Sequence, residues 1–309
     1  MHFDILLQQI LNGLVLGSVY ALVALGYTMV YGILQLINFA HGEVLMVGAM
    51  VGVTVVSLLA GSGLPGPLLL VLAVGAAVPV CILLALAIER VAYRPLRNAP
   101  RLAPLITAIG VSIVIQTLAM ILWKPNPIVF PDLLPTQPIE IGGALLAPKQ
   151  LLILVVSAIV MAGLMVLVNK TRLGRAMRAT AENPRVAGLM GVNSNQVIAA
   201  TFAIGAALAA IAGVLVAMNY NIAQFSMGFI PGLKAFTAAV LGGIGNLAGA
   251  VLGGLLLGII ESLGAGYIGD ITGGFLGSHY QDIFAFVVLI AVLVFRPSGL
   301  MGERVADRA

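Results

Sequence analysis

Residues 169–196, NKTRLGRAMRATAENPRVAGLMGVNSNQ, form the one long polar island between strongly apolar segments, and their reading sets the class and orientation of the chain. They carry Lys170, Arg172, Arg175, Arg178 and Arg185, five of the fifteen Lys and Arg in the protein, against a single acid, Glu182. Basic residues concentrated beside a membrane span mark the cytoplasmic side. Within the island, Asn183 followed by Pro184 reads as an N-cap and first helical residue. The Asn oxygen can accept a free N–H of the first turn, and Pro has no N–H to leave unpaired. Gly188 and Gly191 then precede a turn at Val192 and Asn193. The pattern predicts a short surface helix over about 184–191, with Ala187, Gly188 and Gly191 letting another polypeptide come close. Orientation needs only charge, so a capped helix with small residues adds the reading of a docking surface.

Outward from the island the chain is apolar. Hydrophobic residues make up 61% of the 309 and charged residues 8%, against about 45–50% and about 25% in soluble domains. At about 20 residues per span, this predicts an all-α fold: a polytopic transmembrane helical bundle in one domain, 1–309, of about 8 spans within a range of 8–10. A first span starts near Ile10, with Gly13 and Gly17 at the four-residue spacing that lets helices approach closely. Residues 44–60 repeat that spacing at Gly48 and Gly52. After a turn at 61–67, a span over 68–88 leads to a loop at 89–101, where Arg90, Arg94, Arg97 and Arg101 outweigh Glu89 and predict the cytoplasmic side. Residues 102–123 cross back. The proline-rich stretch 124–149 excludes a helix through it and reads as an external loop. Spans over 150–168 and 197–218 flank the island.

The remainder is constrained by parity. Met218 is expected outside, and a tail with Arg296, Arg304 and Arg308 is expected inside, so an odd number of crossings separates them. Residues 283–295 supply one, and 234–262 must supply an even number. Gly242, Gly243, Gly245 and Asn246 make a poor helix interior, which predicts a broken or re-entrant hairpin turning near Gly245 and Asn246. Counting back places the amino terminus outside, and its opening, MHFDILLQQ, has no basic segment of the kind that starts a cleaved signal peptide. A faint internal echo pairs Asn38-Phe39-Ala40-His41-Gly42 with Asn246-Leu247-Ala248-Gly249-Ala250. Broken helices at matching places in two halves can point to a transport pathway, and chance among small apolar residues is the other reading.

Candidate chemistry is sparse. His2, His41 and His279 are far apart, and none has a second His or Cys at ligand spacing, so no metal site is expected. The single cysteine, Cys81, excludes an internal disulfide and reads as a buried filler, as do Met218, Met227 and the other methionines. No serine lies in a nucleophile-elbow pattern. A phosphate loop needs Gly before Lys and Ser or Thr after it. Lys124, Lys149 and Lys234 precede Pro, Gln and Ala, and Lys170 follows Asn169, so any ATP chemistry belongs to a partner. The net charge of +4 sits at span ends, which explains it by orientation rather than by nucleic-acid binding.

His41 and Glu43 interrupt apolar sequence, where ionisable groups are costly enough to suggest function. With Asn38 and Phe39 they read first as groups that satisfy broken-helix backbone, second as parts of a gate, and third as a proton relay. Gly245, Gly249 and Gly253, and Gly254 with Gly258, form ladders that predict close helix packing. A second reading has that tight backbone line a narrow conduit, with Asn246 offering a polar group to a passing solute. Glu261, Asp270 and Asp282 end apolar runs and are expected at the membrane interface.

The run Arg178-Ala179-Thr180-Ala181-Glu182-Asn183-Pro184, followed by Ala187, Gly188, Gly191, Val192 and Asn193, resembles the cytoplasmic coupling segment of permease subunits in bacterial ABC importers. It is most similar to the LivH-type branched-chain amino-acid permeases, and NFAHGE at 38–43 and LGGIGNLAGAVLGG at 241–254 extend the resemblance. That resemblance implies a multi-pass protein of the bacterial inner membrane with no cofactor of its own. It implies two cytoplasmic ATPase subunits that use ATP, a second, similar or identical permease subunit, and a periplasmic binding protein delivering a branched-chain or related amino acid. A urea or short-amide permease is a close variant. A proton- or sodium-coupled carrier working through His41 and Glu43 is the alternative from another class.

Overall fold

The computed structural model describes residues 3–97, 99–100, 102–273, 275 and 280–302, without the side chains of Phe3, Asp270 and Ile271. The expectations for His2, Arg101, His279, Arg304, Arg308 and the Asp270 side chain fall outside the described residues. Eleven α-helices are described: α1 (Phe3–Leu34), α2 (His41–Leu59), α3 (Gly66–Ile88), α4 (Leu102–Trp123), α5 (Pro148–Lys170), α6 (Arg172–Glu182), α7 (Pro184–Leu189), α8 (Ser194–Tyr220), α9 (Phe229–Gly242), α10 (Leu247–Ile271) and α11 (Gln281–Phe295). Seven of these, α1 to α5, α8 and α10, are long and apolar enough to cross a membrane, and α9 and α11 are shorter apolar helices. At a rise of about 1.5 Å per residue, α9 reaches only about 21 Å, short of a hydrocarbon core of about 30 Å.

The helix α1 is the buried axis, and it starts earlier than the expected Ile10. Residues ahead of Ile10 are helical because their polar groups find partners outside the helix: the Gln8 side chain donates to the Leu145 carbonyl at 3.0 Å and accepts from the Leu145 N–H at 2.7 Å. Along α1 the small residues decide the packing. A Cβ on Gly13 would come within 2.6 Å of the Ile259 Cα, and one on Gly17 within 2.7 Å of the Leu255 Cα, so α10 lies in backbone contact with α1. Gly48 meets Ala210 in the same way, seating α8 on α2. Gly253 faces Ala238 and Gly242, so α10 also closes on α9. Gly253, Gly254 and Gly258 are therefore packing positions, as the first reading of the ladders expected. Cys81 is buried among apolar neighbours, as expected.

The two ends of the bundle differ in chemistry. At one end lie the break at 35–40, the continuation of α3 through Glu89–Tyr93 and Arg94–Leu96, and the segment α6–α7. These are linked directly: the Tyr93 hydroxyl donates to Asn38 Oδ1 at 2.9 Å, and Arg97 pairs with Glu89 and donates to Asn195 Oδ1 at 2.6 Å. Within the loop expected at 89–101, residues 89–96 are helical. At the other end the stretch 124–147 has no helix; two of its three short strands, β2 (Ile139–Ile141) and β3 (Ala144–Leu146), pair with each other, and β1 (Ile128–Val129) pairs with β4 (Ile222–Ala223), which follows α8. Lys124 and Lys149 share this end with Asp132 and Glu140, so its charge is balanced while the first end is strongly basic.

The hairpin foreseen between 234 and 262 is present. Its turn runs through Gly243 at φ +106° and Gly245 at φ +98°, left-handed backbone that glycine adopts without a Cβ penalty. The chain after α11 returns to this turn. The Leu300 N–H donates to the Leu241 carbonyl at 2.8 Å and the Met301 N–H to the Gly242 carbonyl at 2.9 Å. Among the described residues, three helices, α9 to α11, lie between Met218 and the tail, one of them, α10, of membrane-crossing length.

Candidate functional site

The segment α6–α7 is built as the sequence suggested, with one reversal. Thr171 caps α6 by accepting from the Gly174 N–H at 3.2 Å, and Arg172, Arg175 and Arg178 follow at three-residue spacing, which places them on one exposed face. Arg178 also donates to the Val168 carbonyl, tying α6 back to the end of α5. Asn183 caps α7, its Oδ1 accepting from the N–H groups of Arg185 at 3.0 Å and Val186 at 3.2 Å, and Pro184 is the first residue of that helix. The helix ends at Leu189, and Gly191, at φ +85°, turns the chain toward Asn193, which caps α8 through Asn195 and Gln196.

Glu182, Gly188, Gly191 and Asn193 are exposed, and a Cβ on Gly188 would meet nothing. Ala187, expected on the docking face, is 3% exposed and packs inward. The outward apolar groups are instead Val186, Leu189 and Met190, with Leu189 87% exposed. The sequence reading sought small residues and passed over these three. Their signal was an apolar triplet on a six-residue helix and its C-cap, Met190, where the one buried position is Ala187. In turn α6 packs on α1, α5 and α8, so a push on this segment reaches the axis of the bundle.

The 38–43 stretch is buried within the bundle. Asn38 Oδ1 accepts from the Ala40 N–H at 3.1 Å as well as from Tyr93, stabilising the break before α2. Phe39 packs against Phe236, with ring centroids 5.6 Å apart. His41 lies edge-on to Tyr27 with centroids 4.9 Å apart. Glu43 Oε1 accepts from the Ser112 hydroxyl at 3.1 Å, whereas His41 Nε2 and Glu43 Oε2 have no hydrogen-bond partner among the described residues. His41 and Glu43 do not bond one another.

Asn246 Oδ1 caps α10 by accepting from the Gly249 N–H at 2.9 Å, and its Nδ2 donates to the Met301 carbonyl at 3.0 Å. Both polar ends take part in fastening the hairpin. Gly245 sits at the open turn and Gly249 against Gly242. The echo between 38–42 and 246–250 is therefore a repeated device in which an Asn organises the start of a helix.

A third cluster escaped the sequence reading. Lys234 in α9 lies 2.6 Å from Glu261 Oε1 in α10 and 2.5 Å from Asp282 Oδ1 in α11, and the Tyr20 hydroxyl of α1 donates to Glu261 Oε2 at 3.0 Å. Glu261, expected at the interface, is 1% exposed; the Asp282 side chain is 41% exposed. Four helices meet at this one ion network. Beside it opens a cavity of about 310 Å³, lined by Val15, Val19, Lys234 and Asp282, and by Gln224 and Ile230 of the turn and helix beyond β4. Among the described residues, no three His, Cys, Asp or Glu gather to hold a metal ion.

Seven membrane-length helices around a glycine-packed axis, with basic amphipathic helices at one end, define a multi-pass helical membrane protein of the transport class. The chain belongs to the family described as branched-chain amino acid transport system / permease component, whose family model matches residues 9–293. It is similar to the high-affinity branched-chain amino acid transport system permease protein BraD of Pseudomonas aeruginosa, 49% identical over 96% of each chain. It is also similar to LivH of Escherichia coli K12, 45% identical over 98% of this chain and 97% of that one. A probable LivH of Methanocaldococcus jannaschii is 30% identical over 96% and 92%. Among solved structures, PsaBC from Streptococcus pneumoniae in complex with Fab covers 96% of this chain and 93% of its own at a TM-score of 0.44 and 16% identity, a likeness that carries no argument. The protein is a permease subunit of the ABC transporter kind, a multi-pass protein of the bacterial inner membrane.

Proposed function

We propose that this chain carries leucine, isoleucine, valine or a related amino acid inward, as one of a pair of permease subunits driven by two cytoplasmic ATPase subunits and supplied by a periplasmic binding protein. The observation that carries this reading is the near-complete kinship with permeases named for branched-chain amino acid transport. The sequence adds that none of its four lysines lies in a phosphate-loop pattern, so ATP is spent by the partner.

The basic end of the bundle is the cytoplasmic face. There the exposed edge of α7, formed by Val186, Leu189 and Met190 and flanked by the arginines of α6, seats in a cleft of the ATPase. When ATP closes the ATPase pair, α7 is displaced and α6 passes the displacement to α1, α5 and α8. The ATPase shifts the balance between two arrangements of the helices only to the extent that it binds them differently. The balanced-charge end, with its short strand pairs, faces the binding protein.

The test is uptake of labelled leucine into proteoliposomes that contain the assembled transporter and internal ATP, with loaded binding protein outside. Uptake that requires hydrolysable ATP and ignores a collapsed proton gradient supports the reading. Uptake that persists without the ATPase and follows a proton gradient refutes it and turns attention to His41 and Glu43. Preference for urea or acetamide over leucine would correct the solute alone.

A further inference from the structure

We propose that the cavity beside Lys234 and Asp282 is a transit site inside the permease for the zwitterionic head of an amino acid, working by exchange of ion-pair partners. The inference rests on the amino-acid reading above and deepens it.

The cluster holds one cation too few for its acids. One carboxylate, that of Glu261, suffices to neutralise Lys234, and Glu261 is held on both oxygens, by Lys234 and by Tyr20. Asp282 is a second carboxylate on the same ammonium. A structural tie in an apolar bundle needs one acid per base, because each further buried charge adds desolvation cost. The surplus acid is the one that is accessible, at the mouth of a cavity that opens toward the balanced-charge end through Gln224 and the first turn of α11.

A free amino acid matches this surplus. Its α-carboxylate can take the place of Asp282 at Lys234, and its α-ammonium can receive the carboxylate that Asp282 withdraws. Every charge stays paired through the exchange, and the net charge of the cluster is unchanged. Charge-assisted hydrogen bonds of this kind are the strong ones. The aliphatic side chain then lies on Val15, Val19 and Ile230, which line the same cavity. At about 310 Å³ the cavity is at the small end of the about 300–1,000 Å³ usual for ligand pockets. Its floor, Lys234, is on α9, which ends in the hairpin fastened by Asn246 and the tail, so movement at the cytoplasmic face can open or close the site.

The experiment uses the complete transporter in nanodiscs and photo-leucine, a diazirine analogue of leucine, with crosslinked peptides mapped by mass spectrometry. Labelling is expected within 15–20 of α1 or 227–234 of α9, competed by leucine and isoleucine but not by acetamide or by a leucine amide that lacks the carboxylate. Asp282→Asn, at a half-exposed position, is expected to lower both this labelling and ATP-driven leucine uptake by about tenfold, the factor for one lost charge-assisted hydrogen bond. Co-purification of the ATPase and thermal stability serve as the folding control. Tyr20→Phe, which keeps the ring that lines the cavity and removes only the hydroxyl bonded to Glu261, is expected to change labelling less than Asp282→Asn. Labelling confined to other helices, or normal uptake by Asp282→Asn, overturns the transit site. Competition by leucine amide as strong as by leucine overturns the zwitterion and leaves a cation site. A wild type that takes up no amino acid with ATP defeats the proposed function instead, so the two failures are distinct.

Discussion

The coupling segment at 171–196 and the ion network at Tyr20, Lys234, Glu261 and Asp282 are both polar exceptions in an apolar protein, yet they are made in opposite ways. The first is local. Its caps at Thr171, Asn183 and Asn193 join residues two or three apart, and its charges lie outward in water. The second is assembled from four helices, with Tyr20 separated from Glu261 by 241 residues and Lys234 from Glu261 by 27. Charges that face water cost little and tolerate change, while charges inside the bundle depend on each other for their neutrality. The comparison predicts that damage at the buried Lys234–Glu261 pair appears first as loss of the fold, and damage at the segment as loss of coupling in a protein that still folds.

The largest effect is expected from Lys234→Met, which strands Glu261 in the interior. A loss of about 3–5 kcal/mol is expected, read as a sharp fall in membrane yield and in the melting temperature of the purified protein. Most of it should return in the double variant Lys234→Met, Glu261→Met, because two apolar side chains leave no unpaired charge in the interior and Asp282, half-exposed, can be hydrated. A single variant as stable as wild type would break the comparison. Next is Gly254→Val. A Cβ there would come within 2.5 Å of the Ala21 backbone, and overpacking of about 1–3 kcal/mol is expected from forcing α1 and α10 apart, measured as a lower melting temperature. Smaller again is Asn183→Ala, which removes the cap of α7 at about 1 kcal/mol. It should leave the melting temperature of the bundle almost unchanged and lower the ATPase activity stimulated by the binding protein. Smallest is Gly188→Ala, a methyl group placed in open space, expected to preserve stability and uptake alike.

The same contrast explains what could be read in advance. Helix spans, their ends and the hairpin at 243–246 follow from apolar length, glycine and proline, and these are visible residue by residue. The cap at Asn183 was legible because an N-cap and its N–H partners are neighbours in the chain. Ala187 was misread because a six-residue helix gives too little periodicity to tell its inner from its outer face. The tie of Asn246 to the Met301 carbonyl was not legible, because that partner lies 55 residues away. Glu261 looked interfacial in an apolar run, since nothing near it in sequence announces Lys234 on the opposite arm of the hairpin. Local patterns reveal devices made of neighbours, and pairs formed by tertiary packing need the fold.

The most direct measurement sets the two regions side by side: ATPase co-purification and ATP-driven leucine uptake for Gly188→Trp and Asp282→Asn in the assembled transporter. A Cβ at position 188 meets nothing, so the larger side chain starts from an open, exposed position outside the bundle. The expected result is that Gly188→Trp loses both the ATPase and uptake while keeping its melting temperature, and Asp282→Asn keeps the ATPase bound and loses uptake. Full ATPase binding and full uptake by Gly188→Trp would contradict a coupling role for α7, and with it the division of labour between the two ends of the protein.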